Sequence, residues 1–327
     1  MTHTAPRPGT AGQALLLDNV HTDAIPPLRD AGLTVHHRAE ALNDVALTRA
    51  LSGVRVLGIR SGTRLTRRVL QRAEHLEAVG AFCVGTNQID LAAADELGIA
   101  VFNAPHASTR SVVELAVANL LALSRRLTVH DRAVHAGRWH KTAEGSREVR
   151  GRTLGIVGYG NVGSQLSVVA EALGLRVLFH DLADRQPIGH ATPTRTLDEL
   201  LGASDIVSLH VDGRAGNAGL LGAAELGRMR PGALLVNLSR GPVVDLPALQ
   251  DALASGQLAG AALDVFPDEP SGRSDAFASA LQGLPNVILT PHIGGSTEES
   301  QAAIAAHVAG KLTDHLTGTT GRASRAA

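Results

Sequence analysis

The sequence predicts an α/β protein built on two parallel sheets, and three observations carry that expectation. Short apolar runs alternate with amphipathic stretches along nearly all of the 327 residues, the pattern of buried strands joined by helical crossovers. Aromatic residues make up only 2%, so the cores must be filled by Ala, Val, Leu and Ile, which suits parallel strands under helices. Finally, one glycine cluster, Gly158-Tyr-Gly160-Asn-Val-Gly163, falls between a strand-like run and a helix-like one.

In chain order, Ala14–Leu17, Thr34–His36, Val54–Ile59, Leu76–Val84 and Ile99–Phe102 read as buried strands, with helical spacing at Thr66–Glu74 and Leu91–Leu97. This is a flavodoxin-like series. Ser111 to His135 reads as a single helix, longer than a usual crossover, that joins two domains. A polar loop, Gly137–Gly151, holds the single tryptophan, Trp139. A second series follows at Leu154–Val157, Val177–Phe179, Ile206–Leu209, Leu234–Asn237, Gly260–Val265 and Val287–Leu289. The last helix is expected from Ser296 to Leu316, opened by a Ser296-x-x-Glu299 capping box. It is long enough to return to the first domain. The expected division is therefore 1–107 with 296–327, and 108–295.

Composition narrows the class of function. With 30 basic and 31 acidic residues and no long basic run, nothing points to nucleic acid or a membrane surface. Lys141 and Lys311 are the only lysines, a bias read as genome composition. A single cysteine, Cys83, rules out an internal disulfide or a Cys-based metal cluster, and its apolar run makes it a small buried hydrophobe. No run approaches the ~20 apolar residues of a membrane span. The stretch Met1 to Gly12 lacks the apolar core of a signal peptide, and Thr317–Ala327 is equally poor in packing residues. A cytoplasmic protein with frayed ends and no metal is expected.

The glycine cluster has a mechanism where it stands. Gly158 permits a tight turn, Gly160 lets backbone approach a pyrophosphate, and Gly163 allows helix to pack closely on sheet, with the phosphates at the helix N-terminus. Asp181, ending the next strand, can accept hydrogen bonds from ribose hydroxyls and repel a 2′-phosphate, which favours NAD over NADP. Arg185 nearby leaves a small opening for NADP. This makes the second domain Rossmann-type.

Three further segments each follow a strand: Asn237–Asp245, Leu263–Pro270 and Thr290–Ser296. Oxidising a 2-hydroxy acid needs a base near neutrality, and His292 is the candidate. It needs a carboxylate to fix the imidazole tautomer and stabilise the imidazolium, for which Glu269 is the candidate. It also needs a fixed cation for the substrate carboxylate, and Arg240 offers a planar fork of donors. Singly, each residue has a bland reading as a solvated surface group; together, after a nucleotide fingerprint, they point to a dehydrogenase.

These segments resemble the D-isomer specific 2-hydroxyacid dehydrogenase family. The match includes Gly85–Asp90, Val101–Pro105, Thr109–Val112, Gly158–Gly160, Asn237–Asp245, Ala262–Pro267 and Thr290–Thr297, and it runs from about Val54 to Leu312. The resemblance implies that Arg240 binds substrate, Glu269 orients and His292 is the acid/base. It implies a NAD site lined by Asn161, Val162, Asp181, Leu238, Ser239, Asp264, His292, Ile293, Gly294 and Gly295. It implies substrate contacts from Arg60, Ser61, Arg64, Asn87 and Lys141, with the first domain and last helix forming a substrate-binding domain that closes to exclude water. A homodimer is implied as well, with Trp139 and Lys141 reaching the neighbouring subunit; a plain core role for Trp139 stays open.

The expected reaction is oxidation of 3-phospho-D-glycerate to 3-phosphohydroxypyruvate, for serine biosynthesis. Gly62 stands where phosphoglycerate-oxidising members present a second arginine, and it keeps another acid open, such as 2-hydroxyglutarate or a phosphonate analogue. A NAD(H)-sensing binding protein without turnover is the alternative of another class. The loop Asp212–Asn217 also lacks the family's prolines and threonine. Longer members carry a serine-binding regulatory domain; so little sequence follows the last helix that serine feedback of that kind is not expected.

Overall fold

The computed structural model describes residues 12–270 and 276–318. The two ends where fraying is expected lie almost wholly outside the described residues. The chain divides into two units, one comprising the described residues up to Ser108 and from Thr297 on, the other Thr109–Ser296.

In the first unit, β1 (Gln13–Leu16), β2 (Thr34–His37), β3 (Val54–Ile59), β4 (Ala78–Ala81) and β5 (Ala100–Phe102) form a parallel sheet in the order β2-β1-β3-β4-β5. Helices α1 (Ile25–Asp30), α2 (Asp44–Ala50), α3 (Arg67–Leu70) and α4 (Leu91–Glu96) connect them. Leu15, Leu57 and Val79 face one core while Leu16, Val56 and Ala78 face the other, so both faces are covered and the strands read as unbroken apolar runs. Two expectations shrink. The strand around Val79 ends at Ala81, after which Cys83 N turns back to Ala81 O. The helix expected to Glu74 stops at Leu70, where successive i→i+3 bonds at Ala73 and Leu76 replace helical ones. Cys83 is half-buried rather than a plain core filler: its Sγ lies 3.1 Å from Gly85 O and accepts from Gln88.

The second unit carries a parallel sheet in the order β12-β11-β10-β9-β6-β7-β8. Its strands are β6 (Thr153–Val157), β7 (Arg176–His180), β8 (Thr192–Pro193), β9 (Ile206–Leu209), β10 (Ala233–Asn237), β11 (Leu258–Leu263) and β12 (Val287–Leu289). Its helices are α5 (Thr109–Ser124), α6 (Leu127–His135), α7 (Asn161–Ala172), α8 (Leu197–Ala203), α9 (Ala223–Arg228) and α10 (Leu246–Ala254). Strand order reverses between β6 and β9, the switch point of a Rossmann sheet. Leu120 and Leu123 of α5 and Leu166 of α7 cover Leu154, Ile156 and Phe179 on one face. Leu200, Leu226 and Leu249 cover Val207, Leu235 and Leu263 on the other.

The single helix expected from Ser111 to His135 is two. Arg126 adopts φ +50°, in the left-handed region, and breaks the ladder between α5 and α6. The carbonyls released there are taken by the following loop: Arg147 N donates to Ser124 O at 2.7 Å and Ser146 Oγ to Arg125 O. No residue of α6 is buried.

The last helix, α11 (Glu298–Thr317), belongs to the first unit and fills one face of its sheet with Ile304, Val308 and Leu312. Its cap is Thr297, whose hydroxyl accepts from Ser300 N at 3.1 Å. Ser296, the expected cap, is instead tied into the preceding turn through its N–H to Ile293 O. Gly80 makes the close seating possible, since a Cβ there would come within 2.7 Å of Val308 and 2.9 Å of Leu312. Among the described residues no helix is long and apolar enough to cross a membrane.

Candidate active site

The glycine loop follows β6. Gly158 has φ +92°, and a Cβ on it would lie 2.7 Å from His210 O at the end of β9. At Gly163 a Cβ would strike Gly158 O, so α7 can start where it does only without a side chain there. Gly160 differs: a Cβ would meet nothing within 4 Å, and no side chain caps α7. Open space before an uncapped helix start fits the pyrophosphate of a dinucleotide.

Asp181 follows β7. Its Oδ2 accepts from Tyr159 N at 2.8 Å and its Oδ1 from Ala183 N at 2.9 Å. Each oxygen keeps a lone pair, which suits a ribose diol. Arg185 lies 3.6 Å from the same carboxylate. Arg214, from the divergent loop, pairs with Asp212 and also feels the Asp181 charge. Asn217 of that loop is buried and donates to Asp212 O, so the loop is internally tied. Burial pushes the His210 imidazole down to about 4, so it is neutral at physiological pH, with its Nε2 2.8 Å from Ser208 Oγ.

The reacting set is built after β10, β11 and β12. Asn237, fully buried, accepts Ser239 N (3.0 Å) and Ser239 Oγ (2.7 Å) and donates to Arg240 O (3.1 Å), which shapes the Leu238–Arg240 turn. Leu238 and Ser239 are buried, and Arg240 is half-buried with one guanidinium N–H on Ser239 O. Gly241 has no room for a side chain, because a Cβ would overlap the Phe266 carbonyl.

Glu269 Oε2 lies 2.7 Å from His292 Nδ1, and its Oε1 accepts from Phe266 N at 3.0 Å. Partial burial opposes ionisation of Glu269. The His292 hydrogen bond and charge, the Phe266 N–H and the Arg240 charge together outweigh it and hold the carboxyl below its usual value. His292 itself sits at φ +54°, a conformation an L-residue keeps only when its surroundings impose it. Asp264 imposes it. This buried carboxylate accepts Thr290 Oγ (2.6 Å), Ile293 N (2.8 Å) and Gly294 N (2.7 Å).

The structure thus brings Arg240, Glu269, His292, Asp264, Ile293 and Gly294 into one cluster, with Gly295 next in the turn. Asn161 and Val162 open α7. In the first unit Arg60, Ser61 and Arg64 follow β3, and Asn87 lies exposed beside Gln88, which holds Arg60 O. Lys141 is exposed after α6, and Trp139 is 85% exposed, so it is no core filler. Sequence reasoning gave no role to Asn237, Gly241 or Thr290. Asn237 opens one of the quoted segments, but its three bonds are not written in its neighbours.

Comparison with known proteins identifies the family. Residues 117–294 match the D-isomer specific 2-hydroxyacid dehydrogenase NAD-binding domain. The D-3-phosphoglycerate dehydrogenase of Escherichia coli K12 is 50% identical over 299 residues, covering 91% of this chain and 73% of that one. Among solved structures, the TT0316 protein of Thermus thermophilus is similar at TM-score 0.87 and 31% identity, over 96% of this chain and 100% of that one. The D-lactate dehydrogenase of Aquifex aeolicus, solved with NAD and lactic acid, is similar at TM-score 0.81 and 28% identity, over 93% and 96%.

Proposed function

The chain belongs to the D-isomer specific 2-hydroxyacid dehydrogenase family of NAD-dependent oxidoreductases, and from that premise we propose that it oxidises 3-phospho-D-glycerate to 3-phosphohydroxypyruvate, for serine biosynthesis. The observation that carries the chemistry is the 2.7 Å contact between Glu269 and His292, with the Arg240 charge close enough to act on Glu269. With Nδ1 engaged, the imidazole takes the 2-hydroxyl proton at Nε2, and the Glu269 carboxylate stabilises the imidazolium that results. Arg240 pairs with the substrate carboxylate and polarises the oxygen at C2. NAD, when bound by Gly158–Gly163, Asp181 and the turns at Leu238–Ser239 and 292–295, supplies the hydride acceptor. Arg60, Ser61, Arg64, Asn87 and Lys141 recognise the rest of the acid.

Support for the phosphorylated substrate comes from the 50% identity to the E. coli enzyme. Gly62 favours a second reading, another D-2-hydroxy acid. A missing guanidinium weakens recognition of a phosphate by roughly 1.5–3 kcal/mol, and a Cβ at this position would already stand 3.3 Å from Ala41. The test is NADH formation with a panel of 2-hydroxy acids and its consumption with the matching keto acids. Turnover of phosphoglycerate above the others is expected. Turnover of unphosphorylated acids alone would replace the first reading by the second, and NADH binding without any turnover would leave a NAD(H)-sensing protein.

The protein is further read as a cytoplasmic homodimer. Leu127, Val134 and Trp139 are 58%, 55% and 85% exposed along α6 and the segment after it, an apolar surface suited to a second copy. Sedimentation should give twice the chain mass, falling to the single mass in Trp139→Ala; a monomeric wild type would sink this.

A further inference from the structure

The first unit has a switch point of its own. Strand order reverses between β1 and β3, and open parallel sheets bind ligands outside the carboxyl ends of the strands at such a point. Asp18 follows β1 there and Arg60 follows β3. Asp18 and Asn19 are consecutive non-glycine residues in the left-handed region, at φ +58° and +54°. Asp and Asn tolerate that region better than most, yet two in succession persist only where the surroundings require them. Main-chain bonds from Asp18 N to Glu40 O and from Asn19 N to Arg38 O hold the bend.

The bend delivers a carboxylate. Asp18 is 9% exposed; its Oδ2 accepts Arg60 N at 2.9 Å and Thr63 N at 3.0 Å, and its Oδ1 accepts Thr63 Oγ at 2.7 Å. Both ends of the turn Arg60-Ser-Gly-Thr63 are therefore tied to one side chain more than forty positions earlier. Gln88 Nε2 holds Arg60 O at 3.1 Å from the other side. A carboxylate accepts all three at once, and its charge strengthens each bond. The half-buried Arg60 and the exposed Ser61 and Arg64 are the groups this clamp presents.

We propose that Asp18 is a positioning residue for substrate recognition, fixing the Arg60–Arg64 turn so that its cationic and N–H donors meet the anionic far end of the acid. This rests on the reading that the chain oxidises such an acid through that turn. Asp18→Asn takes the charge out of the clamp and reverses the Thr63 hydroxyl bond, leaving one oxygen for the two backbone N–H groups; Thr63→Val keeps the shape and removes the hydroxyl's bond to Asp18 together with its longer one from Leu42 N (3.4 Å). Each is assayed on whichever acid the wild type oxidises best. In Asp18→Asn, KM for the acid should rise about ten-fold or more, the size of a lost charge-assisted contact. The rise in Thr63→Val should be smaller. kcat at saturation and NADH affinity should stay within about two-fold, and the Arg60 and Thr63 amides should lose protection from hydrogen exchange. An unchanged KM in a folded variant overturns the proposal. So does a fall in kcat and NADH affinity that tracks the melting temperature, the mark of a merely structural role. Should Asp18→Asn not fold, Thr63→Val decides. A wild type inactive toward every acid overturns the dehydrogenase reading itself, and the proposal with it.

Discussion

At the residue scale, the Glu269–His292 pair sets the expected pH behaviour. The Glu269 carboxyl is held below its usual range, so it stays ionised at physiological pH. Its depressed value also stabilises the fold above the unfolded carboxylate pKa, a contribution lost as pH falls through the lowered one. Oxidation should decline as pH falls through the lowered Glu269 value, where the carboxylate that orients the imidazole is lost. Glu269→Gln removes the charge that stabilises the imidazolium, so oxidation and keto acid reduction should both weaken and the acid limb of kcat/KM set by the carboxylate should change. An unmoved limb in a pH–rate profile would contradict the pairing. His292→Ala should cut turnover by about 10²–10⁴ with NADH affinity nearly intact in a fluorescence titration; a collapse of affinity would mean the residue serves binding instead.

At the scale of elements, the same device recurs at strand ends. Asp18, Asp181 and Asp264 each follow a strand and spend their carboxylates on backbone N–H groups of a neighbouring turn. Asn237 does so with its amide oxygen. Such clamps are hard to read in sequence because their partners are distant: 45 positions separate Asp18 from Thr63. The strands were legible where buried apolar runs are cleanly bounded, as at Val54–Ile59, Ile206–Leu209 and Val287–Leu289. The break at Arg126 was not, since apolar spacing continues across it and the groups that relieve it come from the loop at 146–147. Arg240, Glu269 and His292 could be nominated because a reaction demands their chemistry, whereas the left-handed turn of His292 is visible only in three dimensions. Two glycines give tests at this scale. Gly241→Ala would drive a Cβ into Phe266 backbone, and should abolish turnover along with a clear loss of melting temperature. Gly80→Ala meets side chains instead, those of Val308, Leu312 and Phe82, and should cost about 1–3 kcal/mol by denaturant titration without changing KM.

At the scale of the whole molecule, the second unit is one continuous segment with its own two cores, while the first needs pieces from both ends of the chain. Ending the chain at residue 296 would strip Ile304, Val308 and Leu312 from the smaller sheet, at roughly 1.5–3 kcal/mol for each, comparable in sum to the stability of a domain. The truncated protein should still bind NADH and show one lost melting transition, with no acid oxidised. Retention of both transitions would mean that α11 is dispensable.

The single tryptophan has a use apart from chemistry. Trp139 is the only indole in the chain and almost fully in water, so its emission is blind to the apolar cores and reports only on the segment after α6. Dilution, salt or ligand that uncovers or covers this segment is written in the colour of that light, so the proposed association comes with its own optical gauge and needs no label.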